Sequence, residues 1–196
     1  LANVAVAVHP GLSYSHIKTE HGDLIIADVR LQALSAIGIE KYEVIRTFKG
    51  KDLEGLIYEH PLGIRKGRVV LADYVSREEG TGLVHTAPGH GLEDYSTGQK
   101  YKLETVMPVN VKGEFDKSAG EFQGLKVFAA NEKIIEKLAN LKSLVYAGNL
   151  THSYPHCWRC KNPVIFRATK QWFMNIDHKD LRKKILGQIP KVKWIP

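Results

Sequence analysis

The chain has 196 residues, of which 43% are hydrophobic and 25% are charged. This composition is typical of a soluble globular protein and excludes a disordered or low-complexity chain. No stretch reaches the ~20 apolar residues that a membrane-spanning helix needs, and the first residues lack the basic flank of a signal peptide. We therefore expect a cytoplasmic protein, and we treat it as a fragment because it begins with Leu inside an apolar run.

The net charge of +7 favours a polyanionic partner through long-range attraction and counterion release. The excess is uneven, because after residue 160 only Asp177 and Asp180 oppose the basic side chains. We expect this C-terminal segment to carry most of the positive field. Its basic residues are Lys161, Arg167, Lys170, Lys179, Arg182, Lys183, Lys184, Lys191 and Lys193.

The N-terminal half of the sequence predicts short strands separated by turns. Val and Ala alternate over residues 3–9, and a Pro-Gly turn follows. Helical spacing over residues 30–37 predicts one short helix that ends at Gly38, where a left-handed cap would be natural. Further runs rich in β-branched and aromatic residues predict strands over 14–18, 24–27, 42–48, 56–59 and 68–71.

The second half predicts a strand over 83–86, a helix from Leu92, a helix over 131–141 capped by Asn131, and an amphipathic helix over 179–186. We therefore predict a β-rich α+β fold, a barrel or sandwich with a few peripheral helices. Residues 1–150 form the predicted β domain. A boundary is expected near residues 150–155, because residues 151–196 are aromatic, basic and contain both cysteines.

The segment from Gly80 to Tyr95, GTGLVHTAPGHGLEDY, combines glycines, histidines and acidic residues at a density unlike that of a plain turn. A strand that ends at Thr86 and a helix that starts at Leu92 would bring His85 toward Asp94. A carboxylate at a pocket edge can hold an ammonium group, and a neutral imidazole can bond a hydroxyl or orient a water. The alternative is a glycine-rich loop whose carboxylate only stabilises the helix N-terminus.

Two segments resemble a known family. GTGLVHTAPGHGLEDY resembles the GTGxVHxAPxxGxxDY segment in the editing domains of class I aminoacyl-tRNA synthetases for branched aliphatic amino acids. THSYPHCWRCKNPVIFRATKQWF, over residues 151–173, resembles the same family's return to the catalytic core. The resemblance covers nearly the whole chain and is closest to the isoleucine enzymes. His85 and Gly91 argue against the valine and leucine versions, of which the valine editing domain is kept as an alternative.

This resemblance implies a distorted β-barrel connective-peptide editing domain that hydrolyses valyl-tRNA(Ile) while rejecting isoleucine by size, with valyl-adenylate as a second candidate substrate. The implied partners are the tRNA(Ile) acceptor end, valine as the mischarged amino acid, and the rest of a synthetase that ligates isoleucine with ATP. No cofactor is implied for editing. Asp94 is expected to bind the substrate ammonium and His85 to border the side-chain pocket, with an adjoining wall formed by Thr86, Ala87, Pro88 and Gly89.

The sequence departs from the family at its beginning. The family's Thr-rich peptide should lie just before the first strand, and only Leu1 to Asn3 could correspond to its end. We therefore expect poor hydrolysis by the chain as given. Neither the HIGH nor the KMSKS signature occurs, so that ligation would belong to the rest of the parent enzyme. The rival from another class is a noncatalytic, basic tRNA-binding module.

Cys157 and Cys160 form a CxxC knuckle, which can supply two thiolates to tetrahedral zinc but cannot complete a structural site alone. The alternatives are reduced thiols, a redox pair or a disulfide, and a cysteine protease is disfavoured because nothing nearby suggests an oxyanion hole. Zinc would need ligands outside this chain. We expect packing roles for the tryptophans, and solvated positions for the turn histidines His9, His16, His21 and His60.

Overall fold

The computed structural model describes residues 1–149, 151–193 and 195. Among these residues it has seven β-strands, three α-helices and several short 3-10 helices. The β-rich α+β class is confirmed. The strands are β1 (Ala5–Val8), β2 (Ser13–Thr19), β3 (Gly22–Ala27), β4 (Tyr42–Lys49), β5 (Ile57–Glu59), β6 (Lys66–Leu71) and β7 (Leu83–Thr86), and the helices are α1 (Leu92–Tyr101), α2 (Asn131–Asn140) and α3 (Leu181–Gln188).

The strands pair in two sheets, one of four strands in the order β5-β6-β1-β7 and one of three in the order β3-β2-β4. Strand β1 runs parallel to β6 and antiparallel to β7. Two hydrogen bonds join the sheets where they meet: Ala27 N donates to Thr81 O at 2.9 Å, and Tyr14 Oη donates to Gly82 O at 2.7 Å. These bonds from β2 and β3 therefore fix the residues just before β7 and, with them, the start of β7.

Strand β1 is central in its sheet, which explains why it is built from small apolar residues. Ala5, Ala7 and Val8 are fully buried, and they pack against Val70 and Tyr14 on opposite sides. Only short side chains fit between layers on both faces of a strand, so the Val-Ala alternation serves burial on two sides. Asn3, which belongs to the candidate site described below, lies two residues before this strand.

The predicted strands all occur, with ends that differ by one or a few residues. The helix predicted over residues 30–37 is a 3-10 helix over Asp28–Ile37, and Gly38 has the expected left-handed conformation with φ 85°. Asn131 as a cap is wrong. The 3-10 helix Phe128–Ala130 runs directly into α2, so Asn131 is already helical and no extended residue precedes it.

Residues 151–193 are exposed or half-buried throughout. They contact the β domain through an extended stretch, in which Ala168 N donates to Gly89 O at 2.8 Å and Arg167 Nε to Val109 O at 2.9 Å. Trp158 and Trp172 are strongly exposed, so neither packs in the core of this chain, and interface packing stays a prediction. Trp194 lies outside the described residues. The boundary near residues 150–155 stays a prediction, and Leu150 also lies outside the described residues.

No helix in the part of the chain that the structure describes is long and apolar enough to cross a membrane.

Candidate functional site

The turn between β7 and α1 brings Asp94 back to the end of the strand. Asp94 lies in the first turn of α1, and its Oδ2 accepts a hydrogen bond from Ala87 N at 2.9 Å. Gly91 makes room for this geometry, since a Cβ at that position would lie 3.2 Å from Cγ of Asp94. The structure gives no hydrogen bond to Oδ1 from any residue that it describes. One carboxylate oxygen of Asp94 therefore closes the turn, and the other oxygen remains available to a ligand.

A pocket of about 430 Å³ lies beside the His85 side of β7. Its walls come from the beginning of the chain, from β5 and the turn after it, from β7 and from α2. Asp94 is not among the lining residues. Those that form the pocket are Leu1, Asn3, Val6, Tyr58, His60, Pro61, Leu62, Leu83, His85, Ile134 and Leu138.

His85 is exposed, and its side chain lines this pocket. It pairs with Val6 across β1 and β7, and both side chains line the same wall. Burial is the largest cause that lowers the pKa of His85, the charge of the amino terminus lowers it further, and the Asp94 carboxylate raises it. The net effect is a pKa below the ordinary 6.5, so that the ring is neutral near pH 7.

Asn3 connects His85 to a second polar residue of the wall. Its Nδ2 lies 2.9 Å from Nδ1 of His85 and donates to Ala5 O at 2.9 Å, while its Oδ1 accepts from the Tyr58 hydroxyl. Arg65 fixes the backbone of this segment, because its Nη1 donates to Leu1 O at 2.6 Å and to Asn3 O at 3.1 Å. Asn3, Tyr58 and Arg65 were missed as site residues, since 82 positions separate Asn3 from His85.

His60 is the second histidine of the wall, and its assignment as a solvated turn residue is wrong. Only 5% of the residue is exposed. The turn after β5 folds tightly, with His60 N donating to Arg65 O and Gly63 N donating to His60 O, which turns the ring inward. Burial chiefly lowers the pKa of His60 to about 4, and the amino terminus, Arg65 and His85 add to that effect. No pattern in the sequence reveals this burial.

Four residues that were expected to form an adjoining wall of the substrate site are buried and do not line this pocket: Thr86, Ala87, Pro88 and Gly89. Thr86 and Ala87 are nearly inaccessible. Pro88 packs against α1, where a Cβ at Gly98 would come within 2.8 Å of it. Pro88 and Gly89 line a separate pocket of about 350 Å³ against the extended stretch of residues 166–169. These four residues thus fix the backbone between His85 and Asp94.

The CxxC knuckle lies in the exposed C-terminal part, away from the pocket. Cys157 and Cys160 are both free thiols. Hydrogen bonds from the backbone N–H groups of Cys160 and Arg159, and from the Cys160 thiol, lower the pKa of Cys157. Such a turn favours a thiolate and fits two ligands of a tetrahedral site. Among the described residues no group of three or more possible metal ligands comes together, and the zinc half-site stays a prediction.

No family model matches the chain, but individual relatives do. The chain is 54% identical over 196 residues to the isoleucine–tRNA ligase of Fervidobacterium pennivorans, 52% over 196 residues to that of Kosmotoga olearia and 52% over 198 residues to that of Thermotoga maritima. Each match takes in 100% of this chain.

This chain corresponds to a segment of the isoleucine–tRNA ligases. It spans 21% or 22% of the length of these curated relatives. The resemblance expected from the two motifs is therefore confirmed, and the three relatives favour the isoleucine over the valine enzyme. The crystal structure of GlLeuRS-CP1 shares the fold, with a TM-score of 0.61 at 14% identity over 76% of this chain and 79% of that one.

Proposed function

We propose that this segment of an isoleucine–tRNA ligase is its editing domain, which hydrolyses the ester of valyl-tRNA(Ile). A binding site for isoleucine cannot exclude valine well, because one methylene is worth only about 1–3 kcal/mol. A second site that removes attached valine meets that need. The observation that carries the proposal is the turn that closes Asp94 onto Ala87 N, two residues after His85, whose side chain lines the pocket.

In this proposal Asp94 binds the α-ammonium of the attached valine through Oδ1, since Oδ2 is held by Ala87 N. The neutral ring of His85 borders the pocket, whose mainly apolar lining suits the valine side chain. Rejection of isoleucine by size is what the family resemblance implies. A water attacks the ester carbonyl carbon, and the bond from that carbon to the ribose oxygen breaks. Valine leaves, and the ribose oxygen takes a proton.

The Thr-rich peptide that the family resemblance predicts before Leu1 would complete the site. Leu1 and Asn3 line the pocket, so residues joined to Leu1 would begin at its wall. We expect the chain with that peptide added to deacylate valyl-tRNA(Ile) faster than the chain as given. Equal initial rates of the two proteins would contradict the idea that the peptide completes the site.

The proposed function is tested by Asp94→Asn, which keeps an oxygen for Ala87 N and removes the charge. We expect deacylation of valyl-tRNA(Ile) to fall roughly 10- to 100-fold, since a hydrogen bond to a charged group contributes about 1.5–3 kcal/mol. Glu93→Gln is the matched control, because Glu93 is an exposed carboxylate on the same helix. Its activity should be unchanged.

The same variants separate editing from the rival function of a noncatalytic tRNA-binding module. The basic, exposed residues 151–193 would supply tRNA affinity in either case. We expect Asp94→Asn to leave tRNA affinity within a factor of two while deacylation falls. A full-rate Asp94→Asn protein would favour the binding module. So would a wild-type chain that carries the preceding peptide and binds tRNA without hydrolysing the ester.

A further inference from the structure

The hydrogen bonds of the pocket wall fix the protonation of His60. Leu62 N lies 3.1 Å from its Nδ1. A backbone N–H can only donate, so Nδ1 of His60 must accept and carries no proton. In a neutral ring the proton is then on Nε2, to which the structure gives no hydrogen bond from any residue that it describes. His60 therefore offers the pocket one N–H donor.

The same reasoning applies to His85 through the amide of Asn3. Nδ2 of Asn3 faces Ala5 O, which only accepts, and Oδ1 faces the Tyr58 hydroxyl. Turning the amide over would set two oxygen acceptors against each other at Ala5, so the orientation is determined by its partners. Burial raises the pKa of Tyr58, which keeps the hydroxyl a donor. Nδ2 therefore donates to Nδ1 of His85, and the His85 proton is also on Nε2.

We propose that His60 and His85 are held as a pair of Nε2–H donors for oxygen atoms of the ligand, and that His60 is a substrate-positioning residue of this pocket. The oxygen donated to would be an uncharged ester carbonyl or ribose hydroxyl. This identity of the ligand rests on the proposed function. The tautomers themselves rest only on the contacts of Leu62 and Asn3.

The environment of the two rings agrees with a neutral pair. The pKa of His60 is lowered to about 4 and that of His85 is lowered from 6.5, in each case chiefly by burial. A positive charge on either ring is therefore disfavoured near pH 7. At the two histidines an ammonium group would meet N–H donors, so the ligand would enter with its ammonium toward Asp94 and its oxygens toward the histidines.

Two substitutions at His60 separate the donor from the structural role. In His60→Asn the amide oxygen can replace Nδ1 as acceptor for Leu62 N, but no group replaces Nε2–H. In His60→Gln the longer amide can place a donor near Nε2, but the bond from Leu62 N is lost. The probe is a nonhydrolysable valyl-adenosine analogue titrated against each variant, and His21→Asn, at an exposed histidine, is the control.

We expect His60→Asn to fold with near wild-type stability and to bind the analogue roughly 5- to 30-fold more weakly. His60→Gln should be less stable yet bind within about threefold of wild type. The opposite order of affinities, or equal affinity for His60→Asn and wild type, would overturn the positioning role. A structural role alone predicts that affinity follows stability, with His60→Gln the weaker binder.

The tautomers are read independently from ¹⁵N spectra of the imidazole rings at pH 7. We expect His60 and His85 both to show protonated Nε2 and unprotonated Nδ1, with Asn3→Asp changing the pattern of His85 alone. A protonated Nδ1 on either wild-type ring would overturn the donor pair. If wild-type protein failed to bind the analogue, the ligand assignment would fall with the proposed function, and the spectra would still decide the tautomers.

Discussion

Acid should destabilise this chain through His60 in a way that can be calculated. The unfolded chain binds a proton at His60 near pH 6.5, whereas in the folded chain its pKa is about 4. As the pH falls below about 7 the unfolded state therefore takes up the proton first. The stability that His60 contributes is present above its unfolded pKa and is lost as the pH falls toward 4.

The expected magnitude follows from this difference in pKa. At roughly 1.4 kcal/mol per pKa unit, the drop from 6.5 to about 4 corresponds to about 3 kcal/mol of unfolding free energy. About 2 kcal/mol of it should be lost between pH 7 and pH 5. His60 is only 5% exposed, so little of this effect is screened by solvent. The groups that act on the ring are the amino terminus, Arg65 and His85.

Urea unfolding at pH 7 and pH 5 measures the effect when wild type is compared with His60→Asn. Both proteins keep His85 and His90, whose pKa values are also lowered chiefly by burial and which add the same acid sensitivity to each. We expect wild type to lose about 2 kcal/mol more than His60→Asn over this range. His21→Asn should behave like wild type. Parallel losses in wild type and His60→Asn would refute the reasoning.

Three further predictions concern other residues. In Gly67→Ala the new Cβ would lie 2.2 Å from Cζ of Tyr58, so the ring must move, and we expect urea unfolding to show a loss of about 1–3 kcal/mol. Gly187→Ala on α3 meets nothing within 4 Å and should be neutral or stabilising by up to ~1 kcal/mol. Cys157, whose pKa is lowered, should alkylate before Cys160 when iodoacetamide labelling at pH 7 is mapped by mass spectrometry, and equal rates would contradict this.

The turn from Leu83 to Asp94 could be predicted because its information is local. A short apolar strand, an Ala-Pro stop, a Gly-His-Gly loop and an acidic first helical turn follow one another within a few residues. Gly91 and Asp94 are three residues apart, within one helical turn, so their spacing alone predicts the close approach of the Asp94 carboxylate to the Gly91 backbone. The cap at Asn131 failed for the opposite reason, because the preceding 3-10 helix determined the backbone there.

The sequence by itself determined the family resemblance, the β-rich class and the return of Asp94 to the end of β7, since each depends on short motifs and on residue periodicity. Only the tertiary structure decided that His60 is buried, and that Asn3 and Tyr58 reach His85. Those contacts join β5 and β7 to the residues just before β1, and strands far apart in the chain come together only through sheet pairing. Their desolvation and hydrogen bonds, which set the protonation of both histidines, are therefore properties of the folded pocket.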